Sequence, residues 1–357
     1  MSLADRHAAY LGTARFPSLD GLRFLSIVPV IWHHSTTGPI AGLLGKGPVG
    51  VDLFFAISGF LITTLMLRER RATGRVAAGA FYARRALRIF PLYYAVLALY
   101  VVRAWLLPPG DPVRAHFFRS LPFWATYTAN WLVDFGVPHP VLFAFGWSLA
   151  TEEQFYLVWP WIVRATRGWL FPVLTALLLL AVDQAVAHGL FPAALPPGGL
   201  ARRMVTSIAS PILLGALLAC LLDLPRGFAA AWWLLGHRAS APLALAAVVA
   251  LLAASGAPLL AVQLALVGLV GACCMRPDHG LARLTDAAPV RWIGTVSYGM
   301  YLLHVSAITA ARRLLPVGSS VPVVFVVAFA LTLVMAAAAY RWLERPFLGL
   351  RDRLRRS

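Results

Sequence analysis

Residues 321–339 read VPVVFVVAFALTLVMAAAA, a run without a single charge. As a helix rising about 1.5 Å per residue it extends roughly 28 Å, close to the thickness of a bilayer's hydrocarbon core. Similar apolar runs recur along the 357 residues, and the chain is 60% hydrophobic and only 13% charged, with a mean hydropathy of +0.75. Soluble globular proteins carry about 25% charged residues. The composition therefore predicts an all-α polytopic membrane protein and excludes a soluble two-domain enzyme or a disordered or disulfide-stapled secreted chain.

Working outward from that run, ten helices are expected, near 19–36, 49–67, 89–107, 147–163, 169–188, 203–222, 241–255, 257–275, 294–311 and 321–340. The stretch 121–135 contains Pro122, Asn130 and Asp134 and reads as interfacial or re-entrant. Pro/Gly-rich pieces at 108–112 and 192–199 read as external loops. No internal repeat or low-complexity linker divides the chain, so one membrane domain is expected.

The net charge of +17 comes from 30 arginines and one lysine, Lys46, against 14 acidic residues. These arginines sit between apolar runs, where they set topology, so nucleic acid is not the expected partner. With the N-terminus inside, 22 basic residues fall in inside segments and 8 outside, and Arg23 lies within the first span. That split predicts both termini in the cytoplasm of a multi-pass membrane protein, and the preference for arginine over lysine with abundant alanine suggests a bacterial genome and so a bacterial inner membrane. Cys220, Cys273 and Cys274 lie in or beside apolar runs without a CxxC spacing, so buried free thiols are expected and no metal site. The first apolar stretch carries Asp20, Arg23, His33 and His34, which no signal-peptide core would.

Ionisable residues inside a membrane cost on the order of 2.5–3.5 kcal/mol each by insertion scales, which makes each a candidate for function. The first span reads LDGLRFLSIVPVIWHHS from Leu19. Arg23 and His34, 11 residues apart, return to nearly one helix face, and Asp20 precedes Arg23 by one turn on that stripe. The second span opens with Asp52 and contains Ser58-Gly59, small residues that let another helix come close. Arg84, Arg85 and Arg88 cluster before an aromatic run and suit either cytoplasmic anchoring or phosphates. The fourth span aligns Ser148, Glu152 and Tyr156 at i,i+4 spacing, and the ninth aligns Ser297, Tyr301 and His304. A carboxylate at a depth similar to His34 suits general-base chemistry.

Six motifs in order carry a resemblance: LDGLR with a histidine 11 residues beyond its arginine, GVDLFFAISGF (50–60), RRALRIFPLYY (84–94), WSLATEEQFY (147–156), SYGMYLLH (297–304) and ERPF (344–347). Together they resemble the membrane-bound acyltransferase family 3, which includes O-antigen and exopolysaccharide O-acetylases and macrolide acyltransferases. The resemblance implies three parts: a cytoplasmic N-terminal tail at 1–18, a membrane domain at 19–347 and a basic cytoplasmic tail at 348–357. The SGNH-type extension of some members is not expected here, nor a handoff to such a domain.

The resemblance further implies transfer of an acyl group, by default acetyl, from cytosolic acyl-CoA (acetyl-CoA) to a hydroxyl of a glycan or small molecule. By residue it implies His34 as the essential histidine, with Glu152 orienting or charging the imidazole. Arg84, Arg85 and Arg88 become the coenzyme A site, with Arg23 and Ser58 in matching motifs as supporting residues; Asp20, Asp52, Tyr156, Tyr301 and His304 join them as supporting residues from the spacing read above. Direct transfer and a covalent acyl-histidine both remain open. The aromatic stretch 108–146, with Trp124, Tyr127 and Trp131, is expected to touch the acceptor, whether a cell-surface glycan, its lipid-linked precursor or a macrolide-like small molecule. The competing class is a proton-coupled transporter with His34, Glu152 and His304 as a relay, although the paired halves common in transporters are not evident.

Overall fold

The computed structural model describes residues 2–36, 45–166, 168–191, 195–196, 198–254 and 256–353. Five pieces of the sequence reading fall wholly or partly outside them: the first residue of the tail 1–18, Arg167, part of the loop 192–199, the last residue of the expected helix 241–255, and the end of the basic C-terminal tail. Among the described residues the fold is all helix and connection, with no strand. In chain order the helices begin α1 (Leu3–Gly12), α2 (Ser18–Ser35), α3 (Val49–Thr73), α4 (Ala78–Trp105), α5 (Pro112–Ala125) and α6 (Ala129–Leu132). They continue α7 (Gly146–Ala165), α8 (Leu170–Ala187), α9 (Leu200–Thr206), α10 (Ser210–Asp223), α11 (Pro225–Leu235) and α12 (Ser240–Ala253). The last are α13 (Leu259–Met275), α14 (Ala282–Thr285), α15 (Ala288–Leu314), α16 (Val321–Ala339) and, after a π-helical turn at Tyr340–Glu344, α17 (Arg345–Arg353).

Among the described residues four helical stretches are long and apolar enough to cross a membrane: α3, α4, α8 and the run 321–350. Two bent pairs, α9–α10 at 42° and α11–α12 at 70°, bring that to six if each pair is one span. Each of the ten expected segments is helical, but α2, α7 and α15 carry the charges that lower their hydropathy: Asp20 and Arg23, Glu152 and Glu153, Arg312 and Arg313.

Three boundaries differ from the sequence reading. The expected helix 203–222 is broken at 207–209, where Pro211 suits the first turn of a restarted helix. The helix expected from 89 begins at Ala78, because spaced arginines do not interrupt a helix whose other positions are apolar. The expected N-terminal tail contains α1, started by a reciprocal Ser2–Asp5 capping box, and it buries His7 and Tyr10 against Phe228.

The chain divides into two compact units. The first comprises residues 1–76, 163–177 and 210–337. Its helices approach closely through glycine. A Cβ on Gly59 would strike the Ile212 carbonyl of α10, and one on Gly215 would strike the Ala56 carbonyl of α3. This is the close approach that Ser58-Gly59 predicts. Beside it, Gly294 of α15 leaves room for the Asp20 carbonyl of α2.

The base of α2 is fixed by a short polar chain. His279 Nδ1 accepts from the Leu281 N–H at 3.2 Å, so Nε2 carries the hydrogen it donates to Ser18 Oγ at 2.9 Å. Ser18 then donates to Asp286 Oδ1 at 2.7 Å. Burial lowers the His279 pKa and keeps the ring neutral, which this chain of bonds requires. The three cysteines are free and buried, as expected.

The second unit comprises residues 77–162, 178–209 and 338–357. It packs aromatic side chains against α4: Tyr93 stacks on Tyr127 with ring centroids 4.3 Å apart and donates to the Trp124 carbonyl at 2.7 Å. Tyr127 and Phe143 hold left-handed backbone, φ 55° and 64°, a strain offset by ring packing on both sides.

Candidate active site

In the first unit, α2 carries the candidate base. His34 Nδ1 donates to the Val30 carbonyl at 2.9 Å, one turn back along the same helix. A neutral ring so protonated keeps its lone pair on Nε2, the state a general base needs. The ring meets His304 of α15 edge to face, with centroids 4.7 Å apart and an interplanar angle of 75°. His304 is completely buried and its Nδ1 bonds the Tyr301 carbonyl. Tyr301 in turn lies against Phe54 of the second motif, ring centroids 6.3 Å apart. Three of the six motifs thus converge on one pair of imidazoles.

Toward the start of α2, Asp20 is buried and bridged by Arg23 Nη1 at 2.7 Å and Arg15 Nη2 at 2.6 Å. The Asp20–Arg23 pair predicted from spacing is present, with Arg15 as a second cation. Asp52, at the first turn of α3, is half-buried and bonded by Gln263 of α13. Ser58 is half-buried and adjoins Gly59 at the α3–α10 crossing.

In the second unit, α4 and α7 build a different cluster. Arg85 lies 3.5 Å from Glu152 Oε1 and places its guanidinium carbon 3.7 Å from the Tyr156 ring centroid. Tyr156 donates its hydroxyl to the same carboxylate oxygen. Arg88 interacts electrostatically with Glu344 of the ERPF motif. Of the three clustered arginines, Arg85 contacts Glu152, Arg88 interacts with Glu344, and Arg84 has no ion-pair partner among the described residues. Glu152 contacts Arg85 and Tyr156, and in the first unit His34 contacts Val30 and His304.

The structure also corrects the expected acceptor contacts. Trp124 is fully buried and Tyr127 nearly so, because both rings fill the aromatic core around Tyr93 and Phe143. Missing from the sequence reading were the hydrogen-bonded set Asn130, Thr151 and Gln154, and Glu344 as a carboxylate facing Arg88. Asn130 is a polar residue in an apolar stretch and Glu344 stands inside a recognised motif, so a signal existed for both. Among the described residues no group of His, Cys, Asp and Glu is arranged to hold a metal ion.

A family profile described as an acyltransferase domain matches residues 16–341, nearly the whole chain. The chain belongs to acyltransferase family 3. It is similar to the peptidoglycan O-acetyltransferase OatA of Listeria monocytogenes, 27% identical over 351 residues that cover 92% of this chain and 55% of that protein. The putative peptidoglycan O-acetyltransferase YrhL of Bacillus subtilis is 28% identical over 92% of this chain and 54% of its own length. The O-acetyltransferase OatA of Staphylococcus aureus is 25% identical over 92% and 57% respectively. The chain spans about half the length of these curated relatives. No solved structure matches it. As an acyltransferase family 3 member it carries the histidine, glutamate and arginine motifs on the helices that present the two clusters above.

Proposed function

We propose that the chain is an integral membrane O-acyltransferase that moves an acyl group, by default acetyl, from cytosolic acyl-CoA to a hydroxyl of a cell-surface glycan or its lipid-linked precursor. One observation carries this reading: an imidazole in an apolar helix bundle, tied through Nδ1 to Val30 and set against His304, in a chain of acyltransferase family 3. The glycan class comes from the three relatives, two of them named for peptidoglycan.

In the proposed reaction His34 Nε2 removes the proton of the acceptor hydroxyl while its oxygen attacks the thioester carbonyl. The C–S bond breaks, and the departing thiolate takes the proton back from the imidazolium. His304 holds the His34 ring against rotation. Arg84 and Arg88 are the proposed contacts of the coenzyme A phosphates, where guanidinium forks match phosphate oxygens. Arg85 is set by Glu152 and Tyr156 and presents its remaining N–H donors to the donor substrate. Ten crossings, both termini in the cytoplasm and a bacterial inner membrane complete the reading, with arginine placement as its support.

The test uses purified full-length chain in nanodiscs. The reading expects saturable binding of coenzyme A, weakened by Arg84→Gln. It also expects acceptor-dependent release of coenzyme A from acetyl-CoA, without label trapped on His34. No binding at millimolar coenzyme A overturns the donor; labelled His34 with ping-pong kinetics overturns direct transfer.

A further inference from the structure

A cavity of about 370 Å³ opens in the second unit between α6, the start of α7 and α9. It is lined by Asn130, Phe135, Trp147, Arg203, Thr206 and Ser207. The volume falls in the range of about 300–1,000 Å³ typical of small-molecule sites. Phe135 and Trp147 are 42% and 40% exposed, large rings left open although neighbouring aromatics are buried. Arg203 has no hydrogen-bond or ion-pair partner for its guanidinium among the described residues.

The wall is built rather than incidental. Asn130 donates to Thr151 Oγ1 at 3.1 Å and Gln154 Oε1 at 2.9 Å, and accepts from Gln154 Nε2 at 2.8 Å. Gln154 also donates to the Tyr127 carbonyl at 2.7 Å. Trp131 Nε1 donates to Ser207 Oγ at 2.7 Å, and Ser207 donates to the Met204 carbonyl at 2.8 Å. These bonds fasten α6 to α7 and to α9. Along α7, Trp147 lines the cavity and Thr151 and Gln154, at i+4 and i+7 from it, bond the lining residue Asn130, while Ser148 and Glu152 lie one residue round the helix. One helix therefore presents this cavity and the Glu152 cluster on adjacent faces.

We propose that this cavity is the acceptor subsite and binds a sugar ring of the glycan. The axial C–H face of a pyranose is weakly positive and apolar, and it complements the negative π-faces of Trp147 and Phe135. The ring's hydroxyls are matched by the Arg203 N–H donors and by the Thr206 and Ser207 hydroxyl oxygens as acceptors. An acyl chain would leave that guanidinium desolvated and unpaired, at a cost that argues for a polyhydroxylated occupant. The inference rests on the glycan reading above and gives it a location.

The test is binding, independent of turnover. Full-length chain in nanodiscs is mixed with a soluble N-acetylglucosamine tetramer, and saturation-transfer NMR and titration calorimetry read the contact. The wild type is expected to bind, and Arg203→Gln, which removes no internal bond, to weaken binding about tenfold, the worth of a charged hydrogen bond. Trp147→Ala is expected to do the same and to erase transfer to the sugar C–H protons. Coenzyme A binding, measured on the same samples, stays within about twofold for both variants. Wild-type affinity retained in both variants, or absence of wild-type binding, overturns the proposal. So does a wild type in which a phosphatidylglycerol headgroup, and not the oligosaccharide, responds to Arg203→Gln. Failure of the donor reading shows separately, as lost coenzyme A binding with oligosaccharide binding intact.

Discussion

The imidazoles of His34 and His304 meet edge to face at 4.7 Å, although α2 and α15 lie at opposite ends of the chain. His304 contributes no exposed surface, so its position is fixed by packing and by its bond to the Tyr301 carbonyl. A fixed neighbour restricts the rotamers open to His34 and holds Nε2 in one direction. His304→Asn is expected to lower kcat about tenfold or more, since small misplacements of a catalytic group cost up to about 100-fold, with the KM for acyl-CoA unchanged. Steady-state kinetics on both substrates checks this; a raised KM at unchanged kcat would refute positioning.

Glu152 ties down Arg85, and Arg85 covers the Tyr156 ring. Glu152→Gln keeps the shape and removes the charge that holds the guanidinium. The expected result is a KM for acyl-CoA raised about tenfold, with Arg85→Lys comparable because lysine cannot reproduce the planar fork. A fall in kcat alone, without a change in KM, would instead support Glu152 as the group that orients His34.

Gly59 faces the Ile212 carbonyl where α3 crosses α10, and backbone atoms there cannot move aside cheaply. Gly59→Leu is expected to destabilise by about 1–3 kcal/mol or more through overpacking, seen as a lowered Tm in detergent. Gly268, whose added Cβ meets nothing, is the control: Gly268→Ala leaves Tm nearly unchanged.

His279 is held neutral by burial, against the opposing pull of Asp286 and Asp278. Its folded pKa lies below the ordinary value of 6.5, so the unfolded chain takes up a proton that the native chain refuses. The stability this supplies is complete above about pH 6.5 and lost as pH falls below it. Tm measured from pH 7.5 to 5.5 is expected to drop in the wild type and to drop less in His279→Gln. Parallel curves would contradict the assignment.

The sequence made the helices legible because a bilayer demands long apolar runs, and all ten expected segments are helical. The Asp20–Arg23 pair was equally readable, since i,i+3 spacing places both on one face. Long-range pairing was not. Nothing in α2 alone says that His34 faces α15, and nothing in RRALR says that Arg85 and Arg88 face different carboxylates. Aromatic residues misled for a physical reason: Trp124 and Trp147 are equally suited to a core or an open surface, and only the fold buries the first. The α9–α10 break had a cue in Pro211, masked by the apolar sequence around it.

The most direct test follows labelled acetyl-CoA added to inverted membranes that contain the wild type or His34→Ala, with label traced into glycan, lipid and small-molecule fractions. The account predicts label in glycan or its lipid-linked precursor, reduced about 100- to 10,000-fold in His34→Ala, the usual worth of a general base. Transfer that persists at the wild-type rate in His34→Ala would contradict it, as would label confined to small molecules.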